Sequence, residues 1–210
     1  MGQIIKFPVR ASKFGYKRVP RRKRNGEDPA QLHLFAPPSA QILQFASGMS
    51  PFEKALLLDE RGDPQAVEVY FKAIAEQDCI ADAHCNIGIL ESKAGRTARA
   101  LDHFTNALKH DPRHAEAHYN LGNVYFEAED FKLAQLHYEM AAEFEPSFPN
   151  VFFNLALVLS ITSQLEGAIN ALTRYQQMTS GEDARKADEL LQNLKKSLAS
   201  GKPSRFGHPK

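Results

Sequence analysis

The sequence predicts an all-α fold: an α-solenoid of about four helix-turn-helix units, with a C-terminal capping helix and a disordered basic arm at the N-terminal end. Three observations support this prediction. A 34-residue pattern repeats through the middle of the chain, apolar residues within each repeat follow the 3.6-residue period of a helix, and seven of the 12 prolines lie outside residues 47–182. Long helices are therefore expected inside that block and not before it.

The repeat is clearest when residues 81–114 are aligned with residues 115–148 without a gap. Identical residues recur at Ala83/Ala117, His84/His118, Asn86/Asn120, Gly88/Gly122, Ala100/Ala134, Ala107/Ala141 and Pro112/Pro146. The same spacing applied in both directions predicts four units, at 47–80, 81–114, 115–148 and 149–182.

Each unit is predicted to be a pair of helices. Gly88 and Gly122 cost their helices about 1 kcal/mol relative to Ala, which indicates that a second helix approaches closely there. Pro112 and Pro146 are expected to end the second helix of their units, because a proline disfavours helical geometry in the residue before it. Ser50, followed by Pro51 and Glu53, has the pattern of a capping box and marks where the folded structure begins.

The repeat resembles the tetratricopeptide repeat. Unit 115–148 carries the family's signature at Leu121, Gly122, Tyr125, Ala134, Tyr138, Ala141 and Pro146. The two central units depart from the signature at His84 and His118, where the family usually has Trp. The resemblance implies a right-handed superhelix whose concave surface binds other proteins, and a non-enzymatic adaptor function.

Residues 183–199 are predicted to form one more amphipathic helix, followed by a basic tail at 200–210. Its apolar face comprises Ala184, Ala187, Leu191, Leu194 and Leu198. Such a helix covers the last exposed apolar face of a repeat array, so it is interpreted as the cap.

In the tetratricopeptide family, the first helix of each unit lines the concave surface. Projected onto this chain, the resemblance predicts a peptide-binding groove made of Asn86, Asn120, Asn123, Asn154, Tyr119, Phe126 and Phe153. Asparagine amides both donate and accept hydrogen bonds, so they could hold the backbone of an extended peptide. Alternatively, these asparagines only bond neighbouring helices.

Charge indicates the kind of partner. Residues 47–182 carry 10 basic and 20 acidic side chains, a net −10, so a basic partner segment is favoured over an acidic one. The places where the chaperone-binding members of the family hold a peptide carboxylate with Lys and Arg are occupied by Cys85, Tyr119, Phe153 and Asn154. No carboxylate clamp is therefore expected.

Catalysis, cofactors and metals are not expected. The chain has no nucleophile elbow, P-loop or H-E-x-x-H motif. His110, His114 and His118 are four residues apart, but Pro112 interrupts the helix between them. No long apolar stretch predicts a membrane span, and the two cysteines, Cys79 and Cys85, do not form a disulfide framework, so a cytoplasmic location is expected.

The N-terminal arm, residues 1–46, is basic, with a net charge of +7 from nine basic and two acidic residues. Six of the basic residues lie within eight positions, at Lys17, Arg18, Arg21, Arg22, Lys23 and Arg24. Three interpretations stay open: contact with nucleic-acid phosphates, a solvated tail, and docking in the chain's own acidic groove, which would inhibit it.

A short segment of the arm, Gln31, Leu32, Leu34 and Phe35 around His33, resembles the pentapeptide by which bacterial replication and repair proteins dock on the sliding clamp. The alternative is an apolar strand packed on the first repeat. The main hypothesis is an adaptor that binds an extended peptide; the partner's identity and the oligomeric state are not determined by the sequence.

Overall fold

The computed structural model describes residues 48–200. Within this range the chain forms helices and turns. The helices are α1 (Pro51–Glu60), α2 (Ala66–Ala75), α3 (Ile80–Lys93), α4 (Thr97–His110), α5 (Ala115–Glu127), α6 (Phe131–Phe144), α7 (Pro149–Ile161), α8 (Leu165–Met178) and α9 (Gly181–Ser200). Among these residues, no helix has both the length and the apolar character needed to cross a membrane.

The helices associate as successive pairs. Contacts are most extensive within the pairs α1/α2, α3/α4, α5/α6 and α7/α8, and each second helix also packs on the first helix of the next pair. The helices α4, α6 and α8 begin at residues 97, 131 and 165, which are 34 residues apart. The all-α array of helix pairs predicted from the repeat is confirmed, while the arm lies outside the described residues.

Local sequence signals set the helix ends. Ser50 caps α1: its hydroxyl accepts a hydrogen bond from the backbone N–H of Glu53, and the Glu53 carboxylate accepts one from the Ser50 N–H at 2.8 Å. The helices α4 and α6 end at residues 110 and 144. The next residues, Asp111 and Glu145, precede prolines and leave the helical conformation, with φ near −135° and positive ψ.

The 16-residue spacing of glycine and aromatic ring, which recurs in the two central units, is explained by close helix contact. A Cβ atom placed on Gly88 would lie 2.6 Å from Cε1 of Phe104, and one on Gly122 would lie 2.5 Å from Cε1 of Tyr138. Normal carbon contacts are about 3.5–4.0 Å. The ring of the second helix therefore occupies the space that a side chain on the first helix would need, as the sequence predicted.

Two histidine pairs join the helices of the central units where the family usually places Trp. Nδ1 of His84 lies 3.1 Å from Nδ1 of His103, and the equivalent His118–His137 distance is 3.0 Å. In the second pair, Nε2 of His118 lies 3.1 Å from the carbonyl oxygen of Pro112 and donates to it. Burial lowers the pKa of both His118 and His137, which favours neutral rings, and in that state His118 Nδ1 accepts the proton of His137.

The last helix, α9, packs along α8 and begins two residues before the predicted start at 183. It buries Ala187, Leu190, Leu191 and Leu194 against the core. Leu198 is 43% exposed, so its predicted place on the buried face was wrong. The physical reason is that α9 runs on for 20 residues, and its final turn is not covered by the array.

Candidate functional site

The first helices α3, α5 and α7 lie side by side and present one surface, which we call the inner face. Side chains cross from each of these helices to the next. The Asn120 amide of α5 lies 3.9 Å from Cys85 Sγ of α3, and the Asn154 amide of α7 donates to the Tyr119 hydroxyl of α5 at 3.2 Å. In stacked repeat arrays the equivalent helices of successive units form one continuous surface.

The three repeated asparagines are buried, with 2–3% of each side chain exposed. Asn86 is within hydrogen-bonding reach of the Tyr70 hydroxyl in the preceding helix pair. In the same way, the Asn154 amide lies 3.4 Å from the hydroxyl of Tyr138, which also belongs to the preceding pair. In the second unit the equivalent ring is Phe104, which has no hydroxyl. Asn120 donates instead to the backbone carbonyl of Glu116 at 2.9 Å. The contacts of Asn86 and Asn154 connect neighbouring helices, which is the alternative role considered from the sequence, whereas the Asn120 bond to Glu116 stays within α5.

Asn154 is the centre of a polar network. Its amide nitrogen also donates to Oδ1 of Asn123 at 2.9 Å, and the Tyr138 hydroxyl donates to the same oxygen at 2.8 Å. The side-chain oxygen of Asn154 is buried and has no hydrogen-bond partner. A buried acceptor left in this state costs free energy, and an N–H group supplied by a ligand would remove that cost.

The aromatic residues predicted for the groove differ in exposure. Tyr119 is fully buried, with its ring 4.8 Å from that of Phe148 between centroids, so it belongs to the core. Phe126 and Phe153 are half-buried, as is Asn123. Phe153 packs against the Tyr175 ring at 5.1 Å between centroids and keeps part of its surface exposed.

A buried acidic cluster on the inner face was not found by sequence reasoning. Asp82 of α3 and Glu116 of α5 lie around His114 and Cys85, and we call these four residues the acidic centre. His114 caps α5, with Nδ1 accepting from the Ala117 N–H at 3.2 Å, and its Nε2 lies 3.3 Å from Asp82 Oδ1. Glu116 and His114 are each only 7% exposed.

The electrostatics of the acidic centre show two negative charges close together. Burial by itself would lower the pKa of His114, but the hydrogen bond and charge of Asp82, with the charge of Glu116, raise it. Burial raises the pKa of the Cys85 thiol well above its usual value, and the charges of Glu116 and Asp82 raise it further. The thiol is therefore protonated at neutral pH, and the centre favours a cation.

The same cluster contains a set of metal-ligand types. One donor atom each from Cys85, His114 and Glu116 lie within 4.8 Å of one another. Tetrahedral zinc, with bonds of about 2.0–2.3 Å, holds its donors about 3.3–3.6 Å apart, so the side chains would have to close in on the ion. These three residues could hold zinc only if the Cys85 thiol lost its proton.

Two groups of predicted site residues lie outside the described part of the chain. They are the basic residues Lys17, Arg18, Arg21, Arg22, Lys23 and Arg24, and the clamp-like segment Gln31, Leu32, Leu34 and Phe35.

These features define a class of protein: an array of helix pairs built from a 34-residue repeat, whose first helices form one face. Residues 85–150 match the sequence model of the tetratricopeptide repeat family. Residues 85–150 are therefore a tetratricopeptide repeat segment, as the glycine, tyrosine and proline pattern indicated. No curated protein matches the chain significantly.

Solved structures of tetratricopeptide domains share the fold. The first such domain of Spaghetti (RPAP3) bound to the HSP90 peptide SRMEEVD has a TM-score of 0.51 and 20% identity, covering 57% of this chain and 93% of that one. The TPR2B domain of yeast Sti1 in a pHsp70 complex gives 0.50 and 18%, covering 56% and 97%. MamA gives 0.54 and 16%, covering 73% and 97%.

Proposed function

We propose that this protein is a non-enzymatic adaptor that binds an extended, basic segment of a partner protein along its inner face. The observation that carries the proposal is the chemistry of that face. It has carboxylates at Asp82, Glu116 and Glu127, a buried acceptor without a partner at Asn154, and half-buried rings at Phe126 and Phe153. Carboxylates would pair with Lys or Arg side chains, and the Asn154 oxygen would accept a peptide N–H.

The similar structures support peptide binding as the use of this fold, since one of them holds an HSP90 peptide and another is a complex with pHsp70. The HSP90 peptide SRMEEVD has three acidic residues. The inner face of this chain is acidic itself, and in place of a carboxylate clamp it has Cys85, Tyr119, Phe153 and Asn154. The proposed partner segment is therefore of the opposite charge to that peptide.

A selection from a random 12-residue peptide library on the immobilised protein tests the proposal. Enriched peptides should contain several Lys or Arg residues and an apolar residue. For a selected peptide, Glu127→Lys and Phe153→Ala should each weaken binding about tenfold, since each removes one favourable contact worth about 1.4 kcal/mol.

The matched control is Glu139→Lys. It makes the same charge change at an exposed position on α6, a second helix that does not form the inner face. Binding that tolerates Glu127→Lys but not Glu139→Lys would place the ligand on the outer side of the array and refute the assignment, as would enrichment of acidic peptides.

A further inference from the structure

The basic arm and the acidic repeat block have opposite charges, and the two meet near the acidic centre. We use these two features to infer how the proposed function is regulated, so the inference rests on that function. Residues 1–46 have a net charge of +7, and residues 47–182 have −10. Opposite charges of this size, linked in one chain, attract each other at close range.

The arm joins the array next to the acidic centre. The backbone N–H of Phe52, at the start of α1, donates to Oδ2 of Asp78 at 2.9 Å. Asp78 directly precedes Cys79, the N-cap of α3, and Asp82 lies in the first turn of that helix. The point where the arm leaves the array is therefore about one helical turn from the first carboxylate of the acidic centre.

The arm is long enough to reach the whole inner face. Between Arg24 and Gly48 there are about 24 residues, which span up to about 80 Å when extended and about 27 Å on average as a flexible chain. The basic run from Lys17 to Arg24 can therefore reach Asp82 and Glu116 without strain. A segment tethered this closely is present at an effective concentration on the order of 1 mM.

The acidic centre suits a guanidinium or ammonium group. Asp82 and Glu116 come from different helices and flank the His114 ring, whose Nε2 lies 3.3 Å from Asp82 Oδ1. A second acceptor, the unpartnered Asn154 oxygen, lies further along the same face. Together these acceptors fit an extended basic strand that places one cationic side chain at the acidic centre and one backbone N–H at Asn154.

We propose that the basic segment Lys17–Arg24 of this chain docks on its own inner face at Asp82 and Glu116, so that a partner must displace it. The arm is thus an internal competitor for the adaptor groove. A partner peptide that binds the open groove with a Kd of about 100 µM, competing with an arm of equal affinity at about 1 mM, sees its affinity reduced roughly tenfold.

The first experiment detects docking with no added ligand. The chain contains no Trp, so Phe14→Trp gives a single fluorophore beside the basic run. Docking predicts a blue-shifted, acrylamide-protected emission in the full chain. Asp82→Asn with Glu116→Gln should abolish both effects, whereas Glu139→Gln should leave them unchanged. An exposed, quenchable emission in the Phe14→Trp chain overturns the proposal.

The second experiment measures competition. A fluorescein-labelled peptide of residues 13–28 is titrated into the full chain and into a chain of equal length whose six basic residues 17, 18, 21, 22, 23 and 24 are Ser. We expect binding about tenfold tighter to the neutralised chain, with the difference shrinking as NaCl is raised. Equal affinity for the two chains refutes self-occupation while leaving the adaptor function intact.

Two further outcomes separate this inference from its alternatives. If the Phe14→Trp emission shifts only when a single-stranded oligonucleotide is added, the arm binds nucleic acid and the proposal fails. If Zn²⁺ binds stoichiometrically and the neutralised chain does not bind the peptide, the acidic centre is a metal site and the proposal fails. If docking is observed but peptides selected from the library ignore the Glu127 and Phe153 substitutions, only the adaptor function fails.

Discussion

Replacing Gly122 by Ala should destabilise the protein even though Ala is the better helix former. The new Cβ would lie 2.5 Å from Cε1 and 2.6 Å from Cδ1 of Tyr138. The Tyr138 ring is 1% exposed, and its hydroxyl is hydrogen-bonded to Asn123, so the ring cannot turn away without losing that bond. It must be displaced by about 1 Å to restore normal contact.

The expected size follows from two opposing effects. Ala gains up to about 1 kcal/mol of helix propensity over Gly, while overpacking a buried site costs about 1–3 kcal/mol and the strained hydrogen bond adds about 1 kcal/mol. The net loss should be about 1–3 kcal/mol, which lowers Tm by about 2–12 °C for a chain of this size.

The assay is urea and thermal unfolding followed by circular dichroism at 222 nm. Gly167→Ala in α8 is the matched control, because its Cβ would meet only the end of a flexible side chain, Cδ1 of Leu159 at 3.2 Å. That substitution should be neutral or stabilising by up to about 1 kcal/mol. Tyr138→Leu should remove most of the cost of Gly122→Ala. The argument fails if Gly122→Ala is as stable as the parent chain.

Three other predictions concern the same scaffold. Burial, followed by the neighbouring imidazole, lowers the pKa of His84 and of His137 to about 4, against about 6.5 when unfolded. The unfolded chain therefore binds more protons, and the urea midpoint of unfolding should fall as pH drops from about 6.5 to about 4. Replacing the histidines at 84, 103, 118 and 137 by Gln should flatten this pH dependence. An unchanged pH dependence in that variant would contradict the prediction. Glu129 and Ser163 adopt positive φ (60° and 63°) at the turn position where the preceding unit has Gly95 (75°), so Glu129→Gly should raise the unfolding free energy by about 0.5–1 kcal/mol and Gly95→Ala should lower it. Leu194 is fully buried between α9 and the array, so Leu194→Asp should cost at least about 3 kcal/mol, while Leu198→Asp, at an exposed site, should change the midpoint little.

Much of the fold could be predicted because its signals are local. The capping box at Ser50 and the prolines that follow Asp111 and Glu145 act on neighbouring backbone, so they define helix ends without knowledge of the tertiary structure. The small residues at Gly88 and Gly122 indicated close packing in the same way. The buried face of α9 was predicted less well, since which of its leucines are covered depends on how far the array extends beneath it.

The site was less predictable because its residues come from different units. Asp82 and Glu116 are 34 residues apart and occupy the same repeat position, yet only the packing of α3 beside α5 places both around His114. The hydrogen-bond partner of each repeated asparagine depends on a residue in the preceding unit. Asn154 meets the Tyr138 hydroxyl, whereas Asn120 lies after a unit with Phe104 and turns to its own helix.

The sequence by itself determined the repeat length, the helical fold, the resemblance of the central units to the tetratricopeptide repeat and the separation of a basic arm from an acidic array, because each of these depends on periodicity, local backbone preference or charge. The tertiary structure decided which polar groups are buried, paired or left with an unused acceptor. Burial and hydrogen bonding depend on distances between helices that are remote in sequence, so the acidic centre and the Asn154 network emerged only when the helices were packed together.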